Sequence, residues 1–291
     1  MTVRTFHHSR CSPGRLRVER LETVSVCVPA REEAATIASV VAPLIALREA
    51  DIVDQVVVLD DDSRDGTGAI AASLGAQVVR PATLLPAFGP LLGKGDAMWR
   101  ALSVLTGDLV CFVDADSEDF AAHFATGLLG PLICAPYLQF VKGFYRRPFK
   151  HGPAQVQPTG GGRVTELTAR PLLATFYPEL AEIRQPLAGE FAARRDLLDR
   201  MTFCTGYAVE IGLLLDVYAT IGVDAIAQVD LDVRQNRHRP LHDLGATADA
   251  VVAAVSRRLR REGRLLGENE PRHVLLERPP LTSLRAFEDA A

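Results

Sequence analysis

The chain lacks any run of about 18 apolar residues, so no transmembrane helix is expected. Its opening residues, MTVRTFHHSRCSPGRLRVERLE, carry basic side chains but lack the apolar core of a secretory leader. It also lacks a CxxC pair, and its five cysteines are an odd number. A zinc ribbon and a disulfide framework are thereby excluded. Cys27 and Cys111 lie inside apolar runs and read as small core residues in a reducing compartment, so a cytoplasmic protein is expected. A large charge excess is missing as well: the formal net charge is −4, which excludes a general affinity for nucleic acid or an anionic membrane. Any anion site must therefore be a local cluster of Lys and Arg. Four catalytic signatures are absent: the GxSxG elbow, GxGxxG after the first strand, the GxxxxGK[ST] loop and HExxH.

What is present is an alternation of strands and helices. Hydrophobic residues make up 48% of the 291, enough for a sizeable core. The run TVSVCVP (23–29) is short, apolar and β-branched, the profile of a buried parallel strand. A helix is expected over 32–48, a strand over 54–60, a helix over 67–73 and a strand over 76–80. The Pro/Gly-rich segment 81–93 reads as a loop, and a helix follows over 94–105. DLVCFVD (108–114) is a third buried strand. This order predicts an α/β fold built on a doubly wound, mostly parallel sheet flanked by helices. Ligands of such sheets bind outside the C-terminal strand ends, where Pro29, Asp60 and Asp114 fall. In the second half, a strand is expected over 138–143, a Gly/Pro/Gln loop over 151–163, and helices over 165–176, 209–221 and 243–262. AIAQVDLDV (225–233) alternates like an antiparallel strand. The expected organisation is a flexible arm (1–20), a regular α/β half (21–145), a smaller, less regular half (146–262) and a polar tail with little structure (263–291).

Six clusters carry chemistry. Asp114-Ala115-Asp116 sets two carboxylates just beyond a buried strand, where a divalent cation such as Mg²⁺ or Mn²⁺ is the natural partner. A solvated turn fits the same triplet. Pro29-Ala30-Arg31-Glu32-Glu33 could accept from a nucleobase N–H or simply favour a helix N-terminus. Asp60-Asp61-Asp62-Ser63 suits ribose hydroxyls, with Ser63 or Asp65 also able to cap a helix. Gly93-Lys94-Gly95 can approach a phosphate closely, or be a flexible helix-start loop. Gly160-Gly161-Gly162-Arg163-Val164-Thr165 leaves backbone N–H groups open beside an arginine, an anion site unless it is a linker. Arg234-Gln235-Asn236-Arg237-His238-Arg239 offers cations for a carboxylate or phosphate, or a solvated face.

These segments together resemble the retaining GT-A fold glucosyl-3-phosphoglycerate synthases. The resemblance runs from about residue 23 to 245 and rests on VPAREEAATI, VLDDDSRDGT, GKGDAMWRAL, VCFVDAD, VKGFYRRP, TGGGRVTELTARPLL, QPLAGEFAARR, GYAVEIGLLLD and AIAQVDLDVR. TGGGRVTEL with GYAVEIGLL is its specific part. The resemblance implies glucose transfer from an NDP-glucose, UDP- or GDP-linked, to 3-phosphoglycerate, with 21–145 as the nucleotide-sugar-binding half and 146–262 as the acceptor-binding lobe. It implies that Pro29, Ala30, Glu33 and the Asp60, Asp61, Ser63 turn hold the uracil end, with Lys94, Asp114 and Ala115 on the donor side. Asp116 would bind the cation, Leu187 would offer its carbonyl near the anomeric centre, and Glu210 would hold glucose hydroxyls. Gly162, Arg163, Thr165, Tyr207, His238 and Arg239 would hold the acceptor. Where the family has a second metal-binding histidine, this chain has Asn236, with His238 two residues on, so either is a candidate ligand. A homodimer is implied, and the apolar 209–221 segment with the late helix is a candidate interface. Rival readings are a GDP-mannose-dependent mannosyl-3-phosphoglycerate synthase, a polyprenyl-phosphate sugar transferase and a non-catalytic nucleotide-sugar sensor.

Overall fold

A computed structural model describes residues 2–150, 156–235, 240–265 and 275–288. Its strands are β1 (Arg4–His7), β2 (Val24–Ala30), β3 (Gln55–Asp60), β4 (Gln77–Val79), β5 (Leu109–Phe112), β6 (Phe140–Arg146), β7 (Pro148–Lys150), β8 (Val156–Gly160), β9 (Phe191–Arg194), β10 (Phe203–Cys204), β11 (Ile226–Val233) and β12 (Glu277–Arg278). Its α-helices are α1 (Pro13–Glu19), α2 (Ile37–Glu49), α3 (Thr67–Ser73), α4 (Lys94–Ala101), α5 (His123–Cys134), α6 (Arg170–Phe176), α7 (Arg195–Leu198), α8 (Val209–Ile221), α9 (Gly245–Arg261) and α10 (Leu281–Glu288). A π turn, Thr165–Ala169, leads into α6.

Eight strands form one sheet in the order β1-β11-β6-β9-β5-β2-β3-β4. All neighbours are parallel except β9, which runs antiparallel to both β5 and β6. The apolar strand runs are explained by burial on both faces. Val26 and Val28 pack with α2 and α5 on one side, while Cys27 on the same strand packs with α4 and α8 on the other. The expected α/β architecture is therefore present. The expected boundary at 145/146 falls inside β6, and the second half supplies two further strands, β9 and β11, to the same sheet.

Four local expectations change. Residues 1–20 are not a loose arm: β1 pairs in parallel with β11, Ser12 accepts from the Arg15 amide to cap α1, and Leu16 is fully buried. Gly127 and Gly130 of α5 let His8 and Cys11 lie directly on that helix, where a Cβ would collide. β11 is parallel to both neighbours, so its alternation reports which of its groups are polar, not its direction. Its buried Gln228 is satisfied by the Arg184 amide, the Glu182 carbonyl and the Thr5 hydroxyl. The described part of the tail is structured: β12 pairs with β10, and the Trp99 indole donates to the Pro279 carbonyl at 2.8 Å. Finally, α8 is not an outward apolar face. Eight of its residues, Val209 to Leu215 and Val217, are buried within the chain, packed in part against α9.

Candidate functional site

Parallel strands put their C-terminal ends on one edge, and the clusters expected there do gather. A cavity of about 760 Å³ opens at this edge. Pro29, Ala30 and Glu33 reach it from the end of β2, and Asp61 from the end of β3. Asp114, Ala115 and Asp116 follow β5, and Lys94 opens α4. From the second half come Gly162, Arg163, Thr165, Leu187, Tyr207 and Glu210. Asp60 and Ser63 do not line the cavity. Asp60 accepts from the Ser63 amide, and the Ser63 hydroxyl accepts from the Glu32 amide at 2.9 Å. Asp65 accepts from the Ala34 and Thr67 amides. These bonds lash the loop after β3 to the loop after β2, where Glu32 sits at a left-handed φ of 56°. Asn236, His238 and Arg239 lie outside the described residues.

The floor of the cavity is a web of opposed charges. The Lys94 ammonium donates to Asp114 at 2.6 Å and to Glu210 at 2.8 Å. Arg234 lies 3.1 Å from Asp114 and 2.8 Å from Glu190, and it also pairs with Asp116. The Tyr145 hydroxyl donates to Glu190 and accepts from Arg234, each at 2.7 Å. Burial alone would raise the Asp114 carboxyl, but Lys94 and Arg234 outweigh it and hold that group well below the usual carboxylate range. Burial likewise opposes charge on Lys94, yet Asp114 and Glu210 raise it well above an ordinary lysine. Glu190 goes the other way: burial raises its carboxyl despite Arg234. Lys142, buried in β6, donates to the Ala188 carbonyl at 2.5 Å, and burial pushes its ammonium down to about 8.

Backbone shape brings these groups together. Asp114 lies directly against Gly189, where a Cβ would collide with the carboxylate. Gln185 donates to the Tyr145 carbonyl at 2.5 Å, and Lys142 holds Ala188, so Leu187 sits in a segment fixed on both sides. The Gly162 backbone is left-handed, at φ 75°, beside Arg163 and the buried Thr165. The Gly161 amide donates to the Arg147 carbonyl at 3.1 Å, while Gly162, Arg163 and Thr165 line the cavity, where the guanidinium suits an anion. Glu190, Tyr145, Lys142 and Arg147 were not singled out from the sequence. A charged or phenolic side chain amid the apolar runs VKGFYRR and AGEFAA was the available signal.

The donor set also fits a hard divalent cation. Four carboxylates (Asp114, Asp116, Glu190, Glu210) face three basic groups (Lys94, Lys142, Arg234), and Asp116 is the most open of the DxD pair, 35% exposed against 19% for Asp114. The loop carrying Asp116 is tied to the end of β11: the Glu118 amide donates to the Gln235 carbonyl, and the Gln235 amide to Asp119, both at 2.9 Å.

Residues 25–129 match the model of the family described as "Glycosyl transferase family 2". The chain is 44% identical over 275 residues to the glucosyl-3-phosphoglycerate synthase of Mycolicibacterium smegmatis, covering 90% of each. Among solved structures, it is similar to the mannosyl-3-phosphoglycerate synthase of Rubrobacter xylanophilus, with a TM-score of 0.88 and 45% identity over 97% of this chain and 96% of that one. The glucosyl-3-phosphoglycerate synthase of Mycobacterium tuberculosis, solved with Mn²⁺, uridine-diphosphate-glucose and phosphoglyceric acid, matches with a TM-score of 0.84 and 41% identity over 97% and 99% of the two chains.

Proposed function

Because the chain belongs to the glucosyl-3-phosphoglycerate synthase family, we propose that it moves glucose, with retention, from an NDP-glucose (UDP- or GDP-linked) to 3-phosphoglycerate. One observation carries the reading: the acidic triplet at the end of β5 and the Gly162–Thr165 anion cradle line the same cavity. A donor diphosphate and a small anionic acceptor can thus meet.

Pro29, Ala30, Glu33 and Asp61 would hold the nucleoside end, and Lys94 and Asp114 the diphosphate and ribose side. Asp116, with Asn236 or His238, would hold Mg²⁺ or Mn²⁺, which when bound offsets charge on the departing diphosphate. Glu210, fixed by Lys94, would accept from glucose hydroxyls. The Leu187 carbonyl would lie near the anomeric carbon, and Gly162, Arg163, Thr165 and Tyr207 would orient the acceptor. Lys94 engages Glu210 and Asp114, and Arg234 and Tyr145 engage Glu190, which leaves these carboxylates poorly suited to attack carbon. We therefore place attack on the front face: the acceptor hydroxyl oxygen bonds to the anomeric carbon as the bond from that carbon to the diphosphate oxygen breaks, and the hydroxyl proton passes to the departing phosphate oxygen. The same proposal places the enzyme in the cytoplasm as a homodimer; no helix of the described residues is long and apolar enough to cross a membrane.

A second reading, mannose transfer from GDP-mannose, is favoured by the mannosyl-3-phosphoglycerate synthase, which matches no less closely. Release of nucleoside diphosphate from UDP-glucose, GDP-glucose and GDP-mannose, with 3-phosphoglycerate and Mg²⁺ or Mn²⁺, decides between them. Turnover with a glucose donor that requires 3-phosphoglycerate and vanishes in Asp116→Ala is expected. Preference for GDP-mannose moves the assignment to the second reading, and an inverted product anomer refutes front-face attack.

A further inference from the structure

Two histidines and an aspartate meet at the sheet edge outside the cavity. His7 ends β1, and His8 begins the short 3-10 turn that follows it. In a continuous strand consecutive side chains point to opposite faces. The turn instead brings both imidazoles to one side, their ring centroids 4.5 Å apart. Asp232 meets them from β11, 2.6 Å from the His8 Nε2 and 3.5 Å from the His7 Nε2. It does so from a left-handed backbone, φ 68°, where the register of β11 against β6 shifts between Asp230 and Val233. That conformation is uncommon for a residue with a side chain and aims the carboxylate at the histidines.

One ligand atom from each of His7, His8 and Asp232 lies within 4.8 Å of the others. Ligands at roughly 2.1 Å from a tetrahedral ion sit roughly 3.4 Å apart, so small side-chain rotations suffice. The rings are also braced from behind. The His7 Nδ1 lies 2.8 Å from the Ser9 hydroxyl, and His8 packs on the His123 ring at 4.3 Å. The His7 Nδ1 also accepts from the Ser9 amide at 3.2 Å, so these contacts orient both rings, and metal binding at the His7 Nε2 takes the tautomer whose Nδ1–H donates to the Ser9 hydroxyl. Two imidazoles and one carboxylate suit a borderline divalent ion such as Zn²⁺ rather than Mg²⁺.

We propose that His7, His8 and Asp232 form a second, transition-metal site that clips the N-terminal edge strand to β11, two residues before Arg234 enters the cavity. Zn²⁺ titrated calorimetrically into the full chain, in excess Mg²⁺, tests it. The Asp116→Ala background removes the cavity site. One saturable Zn²⁺ site should persist in Asp116→Ala and weaken at least about tenfold in His7→Ala and in Asp232→Asn. Asn tolerates the left-handed backbone, so the second variant removes charge without forcing a new conformation. Co²⁺ bound at this site should give a visible spectrum without thiolate charge transfer. Absence of a Zn²⁺ site, its loss in Asp116→Ala, or its survival unchanged in both other variants overturns the proposal.

Discussion

Arg234 is almost fully enclosed, and its guanidinium contacts Asp114, Asp116, Glu190 and the Tyr145 hydroxyl. Packing these like charges together is tolerable because the planar guanidinium serves Asp114, Asp116 and Glu190 at once, with Lys94 also pairing Asp114. In the sequence it stands two residues before Asn236, the candidate second metal ligand. Asparagine offers a cation only a neutral carbonyl oxygen, whereas imidazole nitrogen binds Mn²⁺ more strongly than it binds Mg²⁺. Asn236→His should therefore lower the Mn²⁺ concentration needed for half-maximal activity by about tenfold while changing the Mg²⁺ requirement little. Metal titration of initial rates checks this. An unchanged Mn²⁺ requirement would show that residue 236 does not face the metal.

At the scale of elements, β9 matters most. It is the one antiparallel strand of the main sheet, inserted between β5 and β6, and it carries Glu190 and Gly189 up to the end of β5. A methyl at residue 189 would meet the Asp114 carboxylate, which Lys94 and Arg234 already hold in place. Gly189→Ala should cut kcat/KM by about 100-fold, roughly 2.7 kcal/mol of transition-state stabilisation. Gly14→Ala, where a Cβ meets nothing within 4 Å, should leave the rate unchanged. Equal rates in the two variants would mean that the close approach has no bearing on catalysis. This element was not legible in the sequence: FAAR is four residues long and carries no turn signal that separates it from the flanking loops. The strands β2, β3 and β5 were legible because burial on both faces leaves continuous apolar runs that end at the acids. β1 was not, since an edge strand with two exposed residues owes its existence to pairing with a segment more than 200 residues away. The same holds for the site. Asp114, Asp116 and the glycine cradle announce themselves locally, whereas Tyr145 and Glu190 join it only through sheet pairing.

Across the whole molecule, one buried carboxylate of α4 helps to hold the described C-terminal segment to the body of the fold. Asp96, fully buried in α4, receives Arg278 at 2.9 and 2.8 Å, Arg100 at 3.1 Å and the Leu92 amide at 2.9 Å. It thus ties β12 to the loop that precedes Lys94. Burial by itself would raise its carboxyl, but Arg278 and Arg100 prevail and lower it. Glu277 is lowered too: burial opposes this, and Arg258, Arg261 and Arg257 outweigh it. With Asp114, three paired carboxylates titrate below their unfolded values. The sign follows directly. The unfolded chain takes up protons first as pH falls, so the stability from these pairs is complete above the ordinary carboxylate range and is lost below about pH 4. Urea midpoints should drop steeply below about pH 5. Asp96→Asn leaves Arg100 and Arg278 without their counter-charge and should cost about 3 to 5 kcal/mol at pH 7. It should also make the acid limb shallower, because one of the depressed carboxylates no longer titrates. An acid limb equally steep in the variant would place the acid sensitivity in other carboxylates and leave Asp96 as a neutral packing contact.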